Sequence, residues 1–302
     1  MFPLFKTLNH QLIAPPGVSA IRLPTFYPSA ASSRNLEASD IDDPQTLGGC
    51  IRSEWYRCKG HQQTDPPGIY SQYIFAAGNM WESWLTEKFK QMGVWVGNNI
   101  KWALPERYIS GEVDIIIKNP ETGEKIIVES KTWGSTNYQA KKELCGSRFG
   151  TPTPKVQNLM QSFIYLDVFK EQGITKTVLT YLDRACGGPD NNVEFWIERV
   201  PNGDSYSAKV TSLNHFGDTN VFVDKRFTIG SIYQRYDELM EFLRQDVTPP
   251  RDYENAYSKE KIERLHAADK IAKTRYEAFQ KKGTPIGDWQ CSYCSYKTLC
   301  YE

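Results

Sequence analysis

GEVDIIIKNPETGEKIIVESK, from Gly111 to Lys131, is the stretch from which the rest of the chain is read. Two apolar, β-branched runs, Val113–Ile117 and Ile126–Val128, flank Asn119-Pro120-Glu121-Thr122-Gly123. Pro and Gly in that connector mark a turn, so the stretch is expected to form a β-hairpin. Side chains alternate across a strand, which puts Glu129 and Lys131 on one face and Ser130 on the other. A hairpin can bring Asp114 beside them. Two carboxylates and the carbonyl of Ser130 make an oxygen site suited to Mg²⁺ or Mn²⁺, with an ammonium close by for a water or a phosphate oxygen. That is the layout of metal-assisted phosphodiester hydrolysis. Charged residues on a hairpin are otherwise a solvated face with a surface ion pair. The apolar run Ile126-Ile127-Val128 argues against this, because it places Glu129 where a lone charge is costly.

Upstream, Val94–Trp102 reads as a strand leading into the hairpin. Ile69 to Met92 carries Ile74, Ala77, Trp81, Trp84, Leu85 and Phe89 at helical spacing, with Glu82 beside that stripe and Gly78 one turn before it. A shorter helix is expected from Gly49 through Arg57, and residues 1–49, rich in Pro, Ser and Asp, as an irregular arm. Downstream come a polar loop, Thr132–Ser147, and a helix from about Pro154 to Lys170. There Gln157, Gln161 and Tyr165 recur every four residues on one face, leaving Leu159, Phe163, Ile164 and Leu166 for the core. Lys176–Leu182 and Val193–Val200 read as strands around a Gly-Gly-Pro-Asp turn, and Ser207–Val223 is β-like. Ile232–Leu243 is an amphipathic helix, and Ser258–Lys281 a long charged one. The organisation expected is one domain over 50–302, with its core at about 69–200 and a helical closure at about 229–302.

The last twelve residues contain Cys291-x2-Cys294-x5-Cys300. Packing gives no reason for such crowding, whereas thiolates so spaced can close on one metal centre. Three ligands leave a position open. Cys50 is the first candidate to fill it, and Cys58 its rival. Zinc takes four cysteines equally well, although zinc ribbons usually pair two Cys-x2-Cys knuckles. Cys145 and Cys186 read as ordinary thiols, and the histidines (His10, His61, His215, His266) fit no metal pattern.

Taken in order, these motifs resemble the PD-(D/E)XK nuclease superfamily. Asp114, Glu129 and Lys131 fall on its acidic, acidic and lysine positions. Gln161-Ser-Phe-Ile-Tyr165 is similar to the QxxxY motif of RecB-type members, and Gly78 followed by Glu82 is similar to their metal-side helix, with Glu where others carry His. One cysteine before and three after the nuclease motifs resemble iron–sulfur members, among them AddB-type helicase–nucleases and the iron–sulfur exonucleases of CRISPR adaptation. The resemblance spans about residues 50–300. It implies a restriction-endonuclease-like α/β core, a central mixed sheet flanked by helices, with a C-terminal helical and iron–sulfur extension. It further implies one or two Mg²⁺ or Mn²⁺ ions on Asp114, Glu129 and Ser130 with Glu82 assisting, and Lys131 at the reacting water. Gln161 and Tyr165 would hold a DNA phosphate or position that lysine. Cys50, Cys291, Cys294 and Cys300 would hold a 4Fe–4S cluster, with zinc the lesser alternative. The implied activity is a DNA nuclease, most of all an exonuclease in recombination, repair or processing. CRISPR spacer processing, with adaptation proteins as partners, is a second outcome, and a non-catalytic DNA-binding protein that keeps the cluster is a third.

Composition sets bounds on these readings. Lys plus Arg and Asp plus Glu number 36 each, so no global field recruits nucleic acid. Lys125 to Lys155 nevertheless carries a net +4, as a phosphate track beginning at the site would. No helicase GxxxxGK motif is present, which points to a stand-alone nuclease rather than a motor. Seven cysteines, no secretory signal and no run approaching a membrane span give an expectation of reduced thiols in a cytoplasm.

Overall fold

The computed structural model describes residues 25–35, 45–146, 151–188, 191–213 and 219–302. Its contacts divide the chain into two compact units, one holding the residues up to Gly49 with Gly68–Met240, the other Cys50–Pro67 with Glu241–Glu302. His10, His215, Arg148 and most of the expected N-terminal arm lie outside the described residues.

The described part of that arm is ordered where an irregular path is expected. β1 (Ser32–Asn35) and β2 (Gln45–Gly48) pair antiparallel. Phe26 is fully buried, bridges to Ile109 and stacks on Tyr236, which anchors the segment. A Cβ on Gly48 or Gly49 would fall 2.4 Å from the carbonyl oxygens of Ala31 and Ala30. The Gly-Gly pair therefore permits close backbone approach as well as breaking the chain.

The chain then supplies α1 (Ile51–Cys58) to the second unit and returns as α2 (Ile69–Gln91), close to the expected span. Leu85 of α2, with Trp81 and Phe89 one turn to either side, packs on Ile115, Val128 and Leu182. β3 (Trp95–Leu104), β4 (Ile109–Lys118) and β5 (Lys125–Trp133) follow as an antiparallel meander. The expected hairpin is β4–β5. Its connector is held by Asn119 Oδ1, which accepts from the amides of Glu121 and Thr122 at 2.9 and 3.3 Å, and by Gly123 at φ +74°.

The expected polar loop after Lys131 contains a helix, α3 (Tyr138–Cys145), capped by Asn137, whose side chain accepts from the Ala140 amide. α4 (Val156–Val168) is the expected Gln/Tyr helix, and every residue from Leu159 to Leu166 in it is buried. It crosses over to β6 (Lys176–Asp183), which pairs parallel with β5. β7 (Val193–Asn202), β8 (Ser205–Leu213) and β9 (Thr219–Asp224) complete a seven-stranded mixed sheet in simple order from β3 to β9. The β-like stretch thus resolves into two strands. α5 (Ile229–Gln245) returns Tyr236 to the Tyr27 carbonyl at 2.9 Å and Tyr233 to Asp167 at 2.7 Å. A mixed sheet flanked by helices is the expected restriction-endonuclease-like α/β core.

In the second unit the single long charged helix is not formed. It breaks into α6 (Lys259–Ala267) and α7 (Lys273–Lys282) at Asp269, which takes φ +55°. The Lys270 amide then returns to the Leu265 carbonyl at 2.8 Å, and Ile271 is buried with Ile262 and Ile286. A straight helix could not bury Ile271 against Ile262, nine residues before it and half a turn away, on the opposite face. Two short helices, α8 (Trp289–Ser292) and α9 (Lys297–Tyr301), carry Cys291 and Cys300, with Cys294 between them. Asp65 ties this end to the α1 segment, accepting from the Thr298 amide at 2.8 Å and its hydroxyl at 2.9 Å. No helix among the described residues is long and apolar enough to cross a membrane.

Candidate active site

The ladder of β4 and β5 runs as far as Ile115 opposite Val128. The next residues outward are Asp114 and Glu129. Asp114 Oδ2 accepts from the Ser130 amide at 2.8 Å, so the first carboxylate is fixed to the second strand. Glu129 is 0% exposed, and its Oε1 forms an ion pair with the Lys131 ammonium. Lys131 keeps its side chain 27% exposed, reaching outward from the buried carboxylate. The other oxygen, Glu129 Oε2, is buried with no hydrogen-bond partner. An orphaned carboxylate oxygen in an apolar setting is costly unless a cation completes it.

The electrostatics agree. Burial pushes the Glu129 carboxyl up to about 7, with Asp114 and Glu82 adding repulsion and Lys131 opposing. Burial also raises Asp114. Glu82 is raised by burial first and then by Asp114, which puts this α2 carboxylate within the field of the hairpin pair. Lys131 is drawn down by burial but held above its usual range by Glu129, Asp114 and Glu82. Three carboxylates disturbing one another around a single ammonium form a site short of positive charge. A divalent cation fits that deficit and the bare oxygen. Among the described residues no three His, Cys, Asp or Glu side chains converge closely enough to hold a metal, so neither the carboxylates nor the terminal cysteines form a closed ligand shell.

Gln161 and Tyr165 lie deeper than a phosphate contact requires. They are 7% and 1% exposed. The Gln161 amide donates to the Tyr165 hydroxyl at 2.8 Å, and that hydroxyl donates to the Glu112 carbonyl at 3.2 Å. Burial raises Tyr165 well above its ordinary value, with Glu129 the next cause. The pair therefore braces β4, the strand that carries Asp114, through the Glu112 carbonyl. Gln157, on the same face, instead donates to the Ser29 carbonyl at 2.6 Å.

Two polar residues absent from the sequence reading join the site. Asn99 of β3, at φ +54°, donates to Glu112 at 2.8 Å and to Glu82 at 3.5 Å. Glu112 shares a strand face with Asp114 and contributes to its raised proton affinity. Glu112 was legible from its two-residue spacing to Asp114. Asn99 was not, because only cross-strand register brings it there.

The four candidate cluster cysteines and Cys58 lie within the second unit. Cys50 caps α1, and burial pushes its thiol up to about 12, with Asp252 and then Cys294 contributing. Cys291 is raised by burial and also senses Cys294 and Cys300. Cys58 is pushed up to about 11 by burial, with Arg57 and Glu54 as its charged neighbours. Cys50 is thus the thiol whose field meets the terminal group. Cys294 lies 3.8 Å from the Ser53 hydroxyl, and Cys300 3.7 Å from the Arg52 guanidinium. An all-thiol donor set suits iron–sulfur or zinc chemistry. Cys145 is buried in α3, and Cys186 is exposed in the turn after β6. Of the described histidines, His61 stacks on Trp55 and His266 on Tyr276.

A family model described as the PD-(D/E)XK nuclease superfamily matches residues 31–301. The chain belongs to that superfamily. Membership implies a metal-dependent nuclease, and such nucleases generally use Mg²⁺ or Mn²⁺. Among curated proteins, none matches the chain. The matched span takes in every element of the carboxylate site and all the cysteines discussed above.

Proposed function

We propose that this PD-(D/E)XK protein is a deoxyribonuclease, an exonuclease that processes DNA ends in recombination or repair. The observation that carries the nuclease reading is Glu129, fully buried, with one oxygen on Lys131 and the other bare. Asp114, Glu129 and the Ser130 carbonyl would hold one or two Mg²⁺ or Mn²⁺ ions, with Glu82 assisting. Bound there, the metal supplies Lewis acidity toward a phosphate oxygen and acidifies a water. Lys131 keeps its ammonium charged beside the buried carboxylate, where it orients the attacking water and neutralises charge developing on the phosphate. Asp114 is held in place by the Ser130 amide. Tyr165 and Gln161 fix β4 from beneath, so the carboxylates need no rearrangement when charge develops.

Cys50, Cys291, Cys294 and Cys300 are proposed to hold a 4Fe–4S cluster, with zinc the lesser alternative. The influence of Cys294 on both Cys50 and Cys291 supports this set over one that includes Cys58. The preference for DNA ends comes from the likeness to iron–sulfur members, and spacer processing in CRISPR adaptation would use the same chemistry with different partner proteins.

The deciding experiment is degradation of end-labelled single- and double-stranded DNA with Mg²⁺ or Mn²⁺. Metal-dependent cleavage abolished in Glu129→Ala is expected. Cleavage at the wild-type rate in that variant would remove the site assignment. DNA binding without cleavage in the wild type would leave a non-catalytic binder.

A further inference from the structure

α2 carries Glu82 to the carboxylate site, and the residues preceding Glu82 on that side of the helix are unusual. Phe75 lies seven residues earlier, which at 100° per residue returns it to within about 20° of Glu82 around the axis, roughly 10 Å away along it. Further along, this side of α2 turns inward, with Leu85 and Thr86 buried. Phe75 is nevertheless 53% exposed, an aromatic ring on the inward-facing side of a helix with no core to enter. Single exposed aromatics are ordinary on a protein surface. This one is in line with Glu82, the carboxylate proposed to assist the metal.

Gly78 lies between them, one turn before Glu82. Among the described residues, a Cβ built on Gly78 meets no atom within 4 Å. None of the described residues therefore requires glycine there, although glycine is the worst non-proline residue for a helix interior. Such a glycine is explained when something outside the chain must approach the helix backbone. Asn79, exposed beside it, adds a donor and an acceptor to the same strip.

We infer, on the nuclease reading above, that the strip Phe75–Gly78–Asn79–Glu82 is the track of a single DNA strand entering the site. Phe75 stacks against an unpaired base, and Gly78 admits the sugar-phosphate backbone between that ring and the metal-side carboxylate. An aromatic face takes any base, so the track is sequence-tolerant. Bases in a duplex already stack on one another. The substrate class is thus single-stranded DNA, or an end frayed into single strands.

The test uses the full-length protein, metal-loaded, with an end-labelled oligodeoxythymidylate and a blunt duplex of the same length. Phe75→Ala is expected to raise KM for the single strand by roughly 5- to 150-fold, with kcat and the metal dependence little changed. Phe75→Trp should restore it, and Phe75→Leu, which keeps apolar bulk without an aromatic face, should not. Abasic nucleotides scanned through the strand supply a second readout. At one position the lesion should impair the wild type but not Phe75→Ala, the non-additivity expected of a direct contact. Gly78→Ala separates substrate from fold: it should raise Tm by about 2–4 °C while raising KM. Unchanged single-strand KM in Phe75→Ala, or full rescue by Phe75→Leu, overturns the track. If cleavage in these assays survives Glu129→Ala unchanged, the nuclease site itself is misplaced, and the two failures are distinct.

Discussion

Replacing Glu129 by Gln removes the buried charge but keeps the shape, and its consequence for stability has a definite sign. The Glu129 carboxyl moves from 4.5 to about 7 on folding, chiefly through burial. Between those two values the folded state holds a proton that the unfolded chain has released, so metal-free stability falls as pH rises through the window. Below about 4.5 both states are protonated and the effect vanishes. Above about 7 the folded protein carries the full cost of an ionised, half-paired carboxylate. At about 1.4 kcal/mol per tenfold change in proton affinity, that cost is about 3 kcal/mol. The neutral amide in Glu129→Gln would not carry it, although Lys131 would lose its partner at every pH. The difference in unfolding free energy, Glu129→Gln minus wild type, should therefore become more positive by about 3 kcal/mol between pH 4.5 and pH 8. Urea unfolding in EDTA at several pH values measures it directly. Other titrating groups are common to both proteins and largely cancel. Adding Mg²⁺ at pH 8 should stabilise the wild type and leave Glu129→Gln unmoved, since only the first binds the ion. A difference flat with pH would mean that Glu129 ionises as an exposed carboxylate does, and the burial argument for a metal site would fail with it.

Lys131→Met should lower cleavage by roughly 100- to 1,000-fold while Mg²⁺ still raises Tm; loss of the Mg²⁺ response would make Lys131 a prop for the carboxylates rather than a catalytic group. Tyr165→Phe removes one hydroxyl from a buried pair and should cost about 1–3 kcal/mol in urea unfolding, with cleavage reduced and its metal concentration dependence unchanged. A neutral result on both counts would make the Gln161–Tyr165 pairing incidental. Protein purified without oxygen should absorb visible light if a 4Fe–4S cluster is present. Serine at Cys50, Cys291, Cys294 or Cys300 should bleach it, and serine at Cys145 or Cys186 should not. A colourless, zinc-loaded protein would replace the iron–sulfur assignment with a zinc one.

The hairpin was legible because its signals are local. A Pro and a Gly sit between β-branched runs, and an Asx turn at Asn119 needs only its own neighbours. The burial of Glu129 was foreshadowed by the apolar run before it. The depth of Gln161 and Tyr165 was not legible, because α4 is buried on all sides and its four-residue spacing does not tell a wet face from a dry one. α3 was missed because it is short and polar and is set by an Asn cap rather than an apolar stripe. The break at Asp269 was hidden in a run of charges that helices tolerate well. It depends on Ile271 reaching Ile262 and Ile286, a tertiary demand that no local pattern announces.

β3 is an edge strand of the sheet, and edges left straight recruit strands from other molecules. This one is not straight. Its register slips between Trp95 and Gly97, leaving Val96 extra, and three residues on, Asn99 takes a left-handed backbone conformation. Both irregularities twist the exposed row of backbone groups away from a flat template. They also set the aim of Asn99 toward Glu82 and Glu112. Deleting Val96 would regularise the ladder, leaving Trp95 opposite Ile117, and would make the edge a flatter template. Resistance to edge-to-edge aggregation and the polar bracing of the carboxylates thus depend on the same short irregular segment.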